Sequence, residues 1–443
     1  MKRRTVVAIA ALVALAALGA LIIGTVDPVP GAAQALIAVV ALGVPLAILL
    51  LRPGAPVAAR DAKAALRELV RAQWRLEART RALDDPRPIP VEWHAHGRPV
   101  GDPVAWFRAL RPRRLIITGG AGTGKTTLAV QLLLGLVETA AEGEPVPVML
   151  SLADWLSSGH QDLTGWLADR VAAYYPGLRA PQFGDDAPGL LARGGHLLPV
   201  LDGLDELPAA ARAEVVRRLN SGLGEEGQVI VTSRRTAYDE AVSRGRGLTG
   251  AAVIAPQALT PQVAADYLRS CLPGDGSHDW VEALRARASP GLAAVAETPL
   301  GLWLIRTVHA ERAPDPSATE PELWQHLLDR VVPALMAGRR VRWTPEAATR
   351  WLGTLASHQD VSRWRVAARL ATPAERRLLS PAAGLLRVLV LSRLAAAGRL
   401  PLRLLPFLED MHRLGVLRAI GPLYQFRHER LRAHLRSSGQ ERP

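Results

Sequence analysis

"RRLIITGGAGTGKTTLAVQLLLGLV", residues 113–137, decides the fold. Leu115 to Thr118 form a short apolar run closed by glycines, the pattern of a buried strand. From Lys125 onward the apolar run is too long for a strand and reads as a helix. Between them stands Gly119-x4-Gly124-Lys125-Thr126. Small residues in such a loop let consecutive backbone N–H groups converge on an anion, and the new helix adds its N-terminal dipole. With strand and helix both in place, the loop passes the context test for a phosphate cradle. The cradle comprises Gly119, Gly120, Ala121, Gly122, Thr123 and Gly124. Lys125 is placed for the β- and γ-phosphates, the Thr126 hydroxyl for Mg2+ and Thr127 for the α-phosphate.

Downstream, "LLPVLDGLDELP" (197–208) ends an apolar run with Asp202, Asp205 and Glu206. Buried acids are costly unless something positive meets them. A Mg2+–phosphate pair supplies that charge. Asp202, at the carboxyl end of a buried parallel strand, would hold the metal mostly through water. Asp205 and Glu206 are candidates to orient or deprotonate an attacking water, and the sequence does not choose between them. A further strand, "GQVIVTSRR" (227–235), ends in Thr232, Ser233 and Arg234. A polar group there could sense the γ-phosphate, and Arg234 either contacts it or lies on the surface.

The 443 residues suffice for several domains, and 49% of them are apolar. The net charge of +13 has two readings, a surface for anionic lipid or nucleic acid, or drift in an Ala-, Leu- and Arg-heavy chain. The single cysteine, Cys271, excludes an internal disulfide and a Cys-rich zinc site, and reads as a small core residue. Beyond His94-x-His96, which reads as loop decoration, the histidines show no metal-ligand spacing, and Trp303, Trp324 and Trp351 read as core.

Lys2, Arg3 and Arg4 precede an uncharged run from Thr5 to Val26, and a second run extends from Gly31 to Leu51. Each matches a hydrocarbon core about 30 Å thick. With arginines and lysines outside and only "DPVPG" between, both ends are expected in the cytoplasm, giving a two-span hairpin in the cell membrane. A cleaved signal peptide shares the basic start, but not the length or the second span. "RDAKAALRELVRAQWRLEARTRAL" (60–83) then reads as a basic helix, with Leu66, Leu69 or Val70, Trp74 and Leu76 near helical period. Its arginines suit acidic headgroups or a solvated face equally. "DDPRPIPVEW" (84–93) breaks helix and leads into a strand.

Helices are expected from about Leu259 onward, after a last sheet strand in "GAAVIAPQ" (250–257). The end of the chain offers helix, strand, Ile-Gly-Pro turn, strand and helix, a winged-helix pattern. Such domains often bind DNA, and Arg403, Arg413 and Arg418 are available for phosphates. The organisation is therefore a transmembrane hairpin (1–52), a basic linker helix and lead-in segment (53–105), and a P-loop NTPase core with a parallel sheet flanked by helices (106–256). A helical domain (257–318), a helical segment (319–398) and a winged-helix-like domain (399–443) follow.

Together "GGAGTGKTTLA", "LLPVLDGLDELP" and "VIVTSRR" resemble the NACHT family of signal-transduction NTPases, within the STAND class of P-loop NTPases. The distinctive element is Asp202-Gly203-Leu204-Asp205-Glu206. "ETPLGLWLI" looks like the family's helical segment, whose proline, here Pro299, packs on adenine. "LYQFRHERLRAHL" looks like the winged-helix segment whose histidine, here His428, reaches the phosphates of ADP, although the usual Gln-Glu pair is missing after it. Hairpin, basic helix and "PIPVEW" are similar to bacterial membrane-anchored members.

The resemblance implies ATP or ADP with Mg2+, slow hydrolysis, and a switch that ADP closes and ATP opens, with nucleotide-dependent self-association and a role in defence or stress signalling. Its expected partners are the bilayer, further copies of the chain and a protein that the sequence does not identify. DNA is not expected, because in the family the winged helix clamps nucleotide. Two alternatives stand beside it. A work-performing AAA+-like ATPase lacks a convincing arginine finger here, and a nucleotide-propped scaffold does not need Asp202, Asp205 and Glu206.

Overall fold

The computed structural model describes residues 55–80, 88–155, 158–271, 278–286, 289–308, 315, 317–357, 384–420 and 423–440. The hairpin expected over 1–52 lies outside them. Among the described residues no helix is long and apolar enough to cross a membrane.

Chain order is helix α1 (Ala55–Thr80), strands β1 (Trp93–Ala95) and β2 (Arg98–Pro99), α2 (Pro103–Ala109), β3 (Arg114–Thr118) and α3 (Lys125–Glu138). Then come β4 (Val146–Ser151), α4 (Leu163–Tyr174), α5 (Ala187–Arg193), β5 (Leu197–Asp202), α6 (Ala209–Gly222), β6 (Val229–Ser233), α7 (Arg235–Ser243) and β7 (Ala252–Pro256). The sheet order is β2-β1-β7-β3-β6-β5-β4. From β7 to β4 the strands are parallel, while β1 pairs antiparallel with β7 and with β2. Strands β3, β4, β5 and β6 are buried along their whole length, which explains their near-continuous apolar composition. This is a P-loop NTPase-like α/β fold, a mostly parallel sheet flanked by helices.

Register places the polar ends of the central strands side by side. Thr118 pairs with Ser233 across β3 and β6, and Ser151 pairs with Asp202 across β4 and β5. With Leu201 opposite Val231, Asp202 at the end of β5 sits beside Thr232.

Helix α1 is not a free linker. Ala62, Leu66, Val70 and Trp74, four residues apart, are fully buried in the same apolar core as the sheet. Leu69 and Leu76, two of the residues read from periodicity, instead face outward at 42% and 55% exposure. Several basic residues of α1 meet the end of α3 and the loop after it, although Arg60 and Arg75 stay largely exposed. Arg60 and Arg75 pair with Glu142 and Glu138, while Lys63, Arg67 and Arg71 donate to the backbone carbonyls of Gly143, Glu144 and Val137. Cations suit that place, because the C-terminal end of α3 carries the negative end of its dipole.

The second half is helical: α8 (Pro261–Cys271), α9 (His278–Arg285), α10 (Pro290–Ala296), α11 (Pro299–Val308), α12 (Glu320–Met336), α13 (Pro345–Ala356), α14 (Gly384–Ala396) and α15 (Leu404–Arg413). An antiparallel hairpin of β8 (Leu417–Ile420) and β9 (Leu423–Phe426) follows, then α16 (Glu429–Gln440). These elements share one apolar core of their own. Trp343, Trp351 and Phe407 meet edge to face within it, at centroid distances of 5.3 to 5.8 Å. Cys271 is half-buried against that core.

Candidate nucleotide site

A cavity of about 410 Å³ opens between the sheet and the helical half. Its walls include the loop 121–124, Lys125, Thr126, Thr127, Asp202, Asp205, Glu206, Arg234, Pro299, Arg418 and His428. Residues far apart in sequence therefore line one space.

The loop between β3 and α3 uses glycine where no other residue fits. Gly122 (φ +77°) and Gly124 (φ +92°) are left-handed, and a Cβ on Gly122 would stand 2.7 Å from that of Leu300. Leu300 N–H also donates to Gly122 O at 3.0 Å, so the start of α11 is fastened to the loop. Pro299, the first residue of α11, lies beside the same turn, with its Cγ 3.9 Å from where a Gly124 Cβ would be. Lys125 Nζ folds back to donate to Gly119 O (3.1 Å) and Gly120 O (2.8 Å). Burial holds the Lys125 ammonium below its ordinary pKa, against the opposing pull of Asp205 and Asp202.

Asp202 is the centre of a saturated hydrogen-bond set. Its Oδ1 accepts from Thr126 Oγ1 at 3.0 Å and from Thr232 Oγ1 at 2.6 Å, and its Oδ2 faces Arg418 Nη1 at 2.8 Å. Thr232 Oγ1 in turn accepts from Gly203 N–H. Burial alone would raise the Asp202 carboxyl, but the Arg418 charge and the bonds from Thr232, Arg418 and Thr126 outweigh it and hold the pKa below the usual range.

The two neighbouring acids differ. Asp205 is held by Arg234, whose Nε lies 2.9 Å from Oδ2 and whose backbone N–H donates to Oδ1 at 3.1 Å. Arg234 is thus turned to Asp205. Glu206 lines the cavity and stays exposed to it, while the protein on its other sides, with Asp202 nearby, pushes its carboxyl up to about 8.

The C-terminal wall departs from the sequence reading in two places. Arg418 was available for DNA phosphates by sequence, yet it is buried at Asp202. Trp303, read as core, is half-buried in the cavity wall, with His428 5.2 Å and the Arg427 guanidinium 5.4 Å from its ring. Sequence reasoning also missed Gln425, which accepts from Arg418 Nε and Nη2 at 3.0 and 2.7 Å. The available signal was spacing: two polar residues symmetric about a tight turn are paired in a hairpin.

The residues present fit a Mg2+–nucleotide pair. A hydroxyl at the second position of α3 and a carboxylate at the end of β5 already touch, beside a loop that tolerates no Cβ at Gly122. Among the described residues no group of three or more His, Cys, Asp or Glu could hold a metal alone. The fit to Mg2+ thus relies on phosphate oxygens completing the shell.

Comparison with known proteins agrees with the core. The family model of the NACHT domain matches residues 113–275. No curated protein matches. Among solved structures the chain is similar to the ORC1 protein of Aeropyrum pernix in complex with DNA, at 16% identity over 84% of this chain and 92% of that one, TM-score 0.29. It is similar to Cdc6p of Pyrobaculum aerophilum at 16% identity over 76% and 90%, TM-score 0.30. A Walker-type ATPase of Pyrococcus abyssi matches at 12% identity over 73% and 90%, TM-score 0.28. At these TM-scores the likenesses carry no argument.

Proposed function

Because the chain carries a NACHT P-loop NTPase domain at residues 113–275, we propose that it is a nucleotide-operated signalling switch, anchored at the cytoplasmic face of a membrane. In this reading ADP keeps the C-terminal half docked on the sheet. ATP releases it and permits self-association, and slow hydrolysis resets the switch.

One observation carries the reading. Loop 121–124, Asp202, Pro299 and His428 line a single cavity, so its contents bear directly on whether the two halves stay together. A ligand shifts such an equilibrium only by its differential affinity for the two states. The added charge of a γ-phosphate next to Asp202, Asp205 and Glu206 is a physical source of that difference.

Roles follow from position. The loop amides and Lys125 bind phosphate, Pro299 packs on the base, and His428 faces the phosphates from the C-terminal side. Thr126 and Asp202 are the residues that fit Mg2+, whose chemistry when bound is to neutralise phosphate charge and polarise the terminal phosphoryl group. Asp205 or Glu206 orients the attacking water, and Arg234 steadies the developing charge once it leaves Asp205. The anchor rests on the two uncharged runs before Arg52.

The test is to identify nucleotide that co-purifies with the protein, then measure its mass in solution with ADP and with ATP. Tight ADP and an ATP-dependent rise in mass are expected. Fast steady turnover, or indifference to nucleotide, would overturn the switch.

A further inference from the structure

We propose that Arg418 is a tethered cation standing in the place of Mg2+ on Asp202, so that docking of the β8–β9 hairpin and metal binding at the site exclude one another. This rests on the switch reading above and names the residue and the ion that set it.

The Asp202 carboxylate is 5% exposed, the Arg418 side chain 7%, and they meet at 2.8 Å. Oδ1 is taken by Thr126 and Thr232, and Oδ2 by Arg418. Mg2+ requires a near-octahedral oxygen shell at roughly 2.0–2.1 Å and usually keeps several waters. A guanidinium on the same carboxylate fills the volume of that shell and repels the ion. The hydroxyl suited to the metal, Thr126, is meanwhile bonded to Asp202 itself.

The guanidinium is aimed rather than merely nearby. Arg418 and Gln425 are partners in the β8–β9 register. Gln425 Oε1 takes Nε and Nη2, which leaves Nη1 for Asp202. Arginine does not lose its charge in proteins, so only withdrawal of the hairpin clears the carboxylate. Metal-free diphosphate is thereby compatible with the docked state, and a metal-bound nucleotide is not. Gln425 is a positioning residue that acts through Arg418.

The experiment uses the full chain in detergent micelles with saturating ADP and Mn2+ as a paramagnetic probe of the Mg2+ site. Electron paramagnetic resonance measures Mn2+ affinity, and hydrogen exchange follows residues 416–427. Arg418→Gln should bind Mn2+ at least about tenfold more tightly than wild type, within the usual range of coupling between two sites. Gln425→Ala, which keeps the cation but frees it, should fall between. In wild type, adding Mn2+ should speed exchange across the hairpin. Equal Mn2+ affinity in wild type and Arg418→Gln, or hairpin exchange indifferent to metal, overturns the proposal. If Arg418→Gln does not fold, Gln425→Ala decides, and wild-type Mn2+ affinity in it overturns the proposal. Wild type that binds no ADP removes the switch reading and this inference with it. ADP binding with unchanged Mn2+ affinity removes only the role of Arg418.

Discussion

Glu77 Oε2, near the end of α1, lies 2.8 Å from His412 Nε2 in α15 and accepts a longer bond, 3.4 Å, from the backbone N–H of Ala419 in β8. Glu77 is 3% exposed, and Ala419 is the neighbour of Arg418. The helix fastened to the end of α3 and the loop after it through Arg60, Lys63, Arg67, Arg71 and Arg75 therefore also grips the strand that reaches Asp202. Removing one partner of a buried charged hydrogen bond costs about 1–3 kcal/mol. Glu77→Ala should loosen the hairpin, seen as faster hydrogen exchange over residues 416–427 and a lower thermal midpoint. Wild-type exchange there would mean that α1 does not bear on docking.

Gly122 tests the seam between loop and helical half. Its left-handed backbone and the 2.7 Å approach of Leu300 leave no room for a methyl group. Gly122→Ala should cost roughly 1–3 kcal/mol and weaken ADP binding, because the Leu300-to-Gly122 hydrogen bond must shift. Gly120 is the control: its added Cβ would meet only Thr123 Cγ2, at 3.4 Å. Chemical denaturation of both variants gives the comparison, and equal losses would show that the seam is not what Gly122 protects.

These two sites also show how far the chain could be read unaided. The β3–loop–α3 unit and the acid at the end of β5 were legible because period and motif spacing are local properties. Helix α1 was legible as a helix, but its inward stripe was not. Periodicity offered Leu69 as an alternative to Val70 and included Leu76, while the buried row is Ala62, Leu66, Val70 and Trp74, whose first member is too small to stand out. Arg418 was misread for a different reason. In sequence it is one arginine among many, and only tertiary contact turns it from a surface charge into the partner of Asp202. Trp303 illustrates the same limit, since an aromatic on an apolar helix looks identical whether it faces a core or a cavity.

The choice of general base can be made by substitution. Both acids line the cavity, but Asp205 is ion-paired with Arg234, whereas the Glu206 carboxyl is raised to about 8, close to the working range of a general base. Glu206→Gln should retain ATP while single-turnover hydrolysis falls about 10²–10⁴-fold, the usual contribution of a positioned base. Asp205→Asn should lose less, and its effect should come with a freed Arg234. A larger loss in Asp205→Asn would assign the base to Asp205.

Glu206 also gives the fold a pH dependence of known sign. In the folded chain its carboxyl is pushed up to about 8, from an ordinary value of 4.5, by the protein crowding one side of it and then by Asp202, while its other side stays open to the cavity. Below the ordinary value both states hold the proton, and the group contributes nothing. Between the two values the folded state keeps a proton that the unfolded chain has released, so stability falls as pH rises. Above about 8 both states are ionised and the loss levels off. Glutamine imitates the protonated acid at every pH. Thermal midpoints of Glu206→Gln should therefore pull ahead of wild type progressively from about pH 5 to pH 8 and then run parallel to it. Curves parallel throughout that window would mean that Glu206 titrates as an ordinary surface carboxylate, with water in the cavity screening it from Asp202.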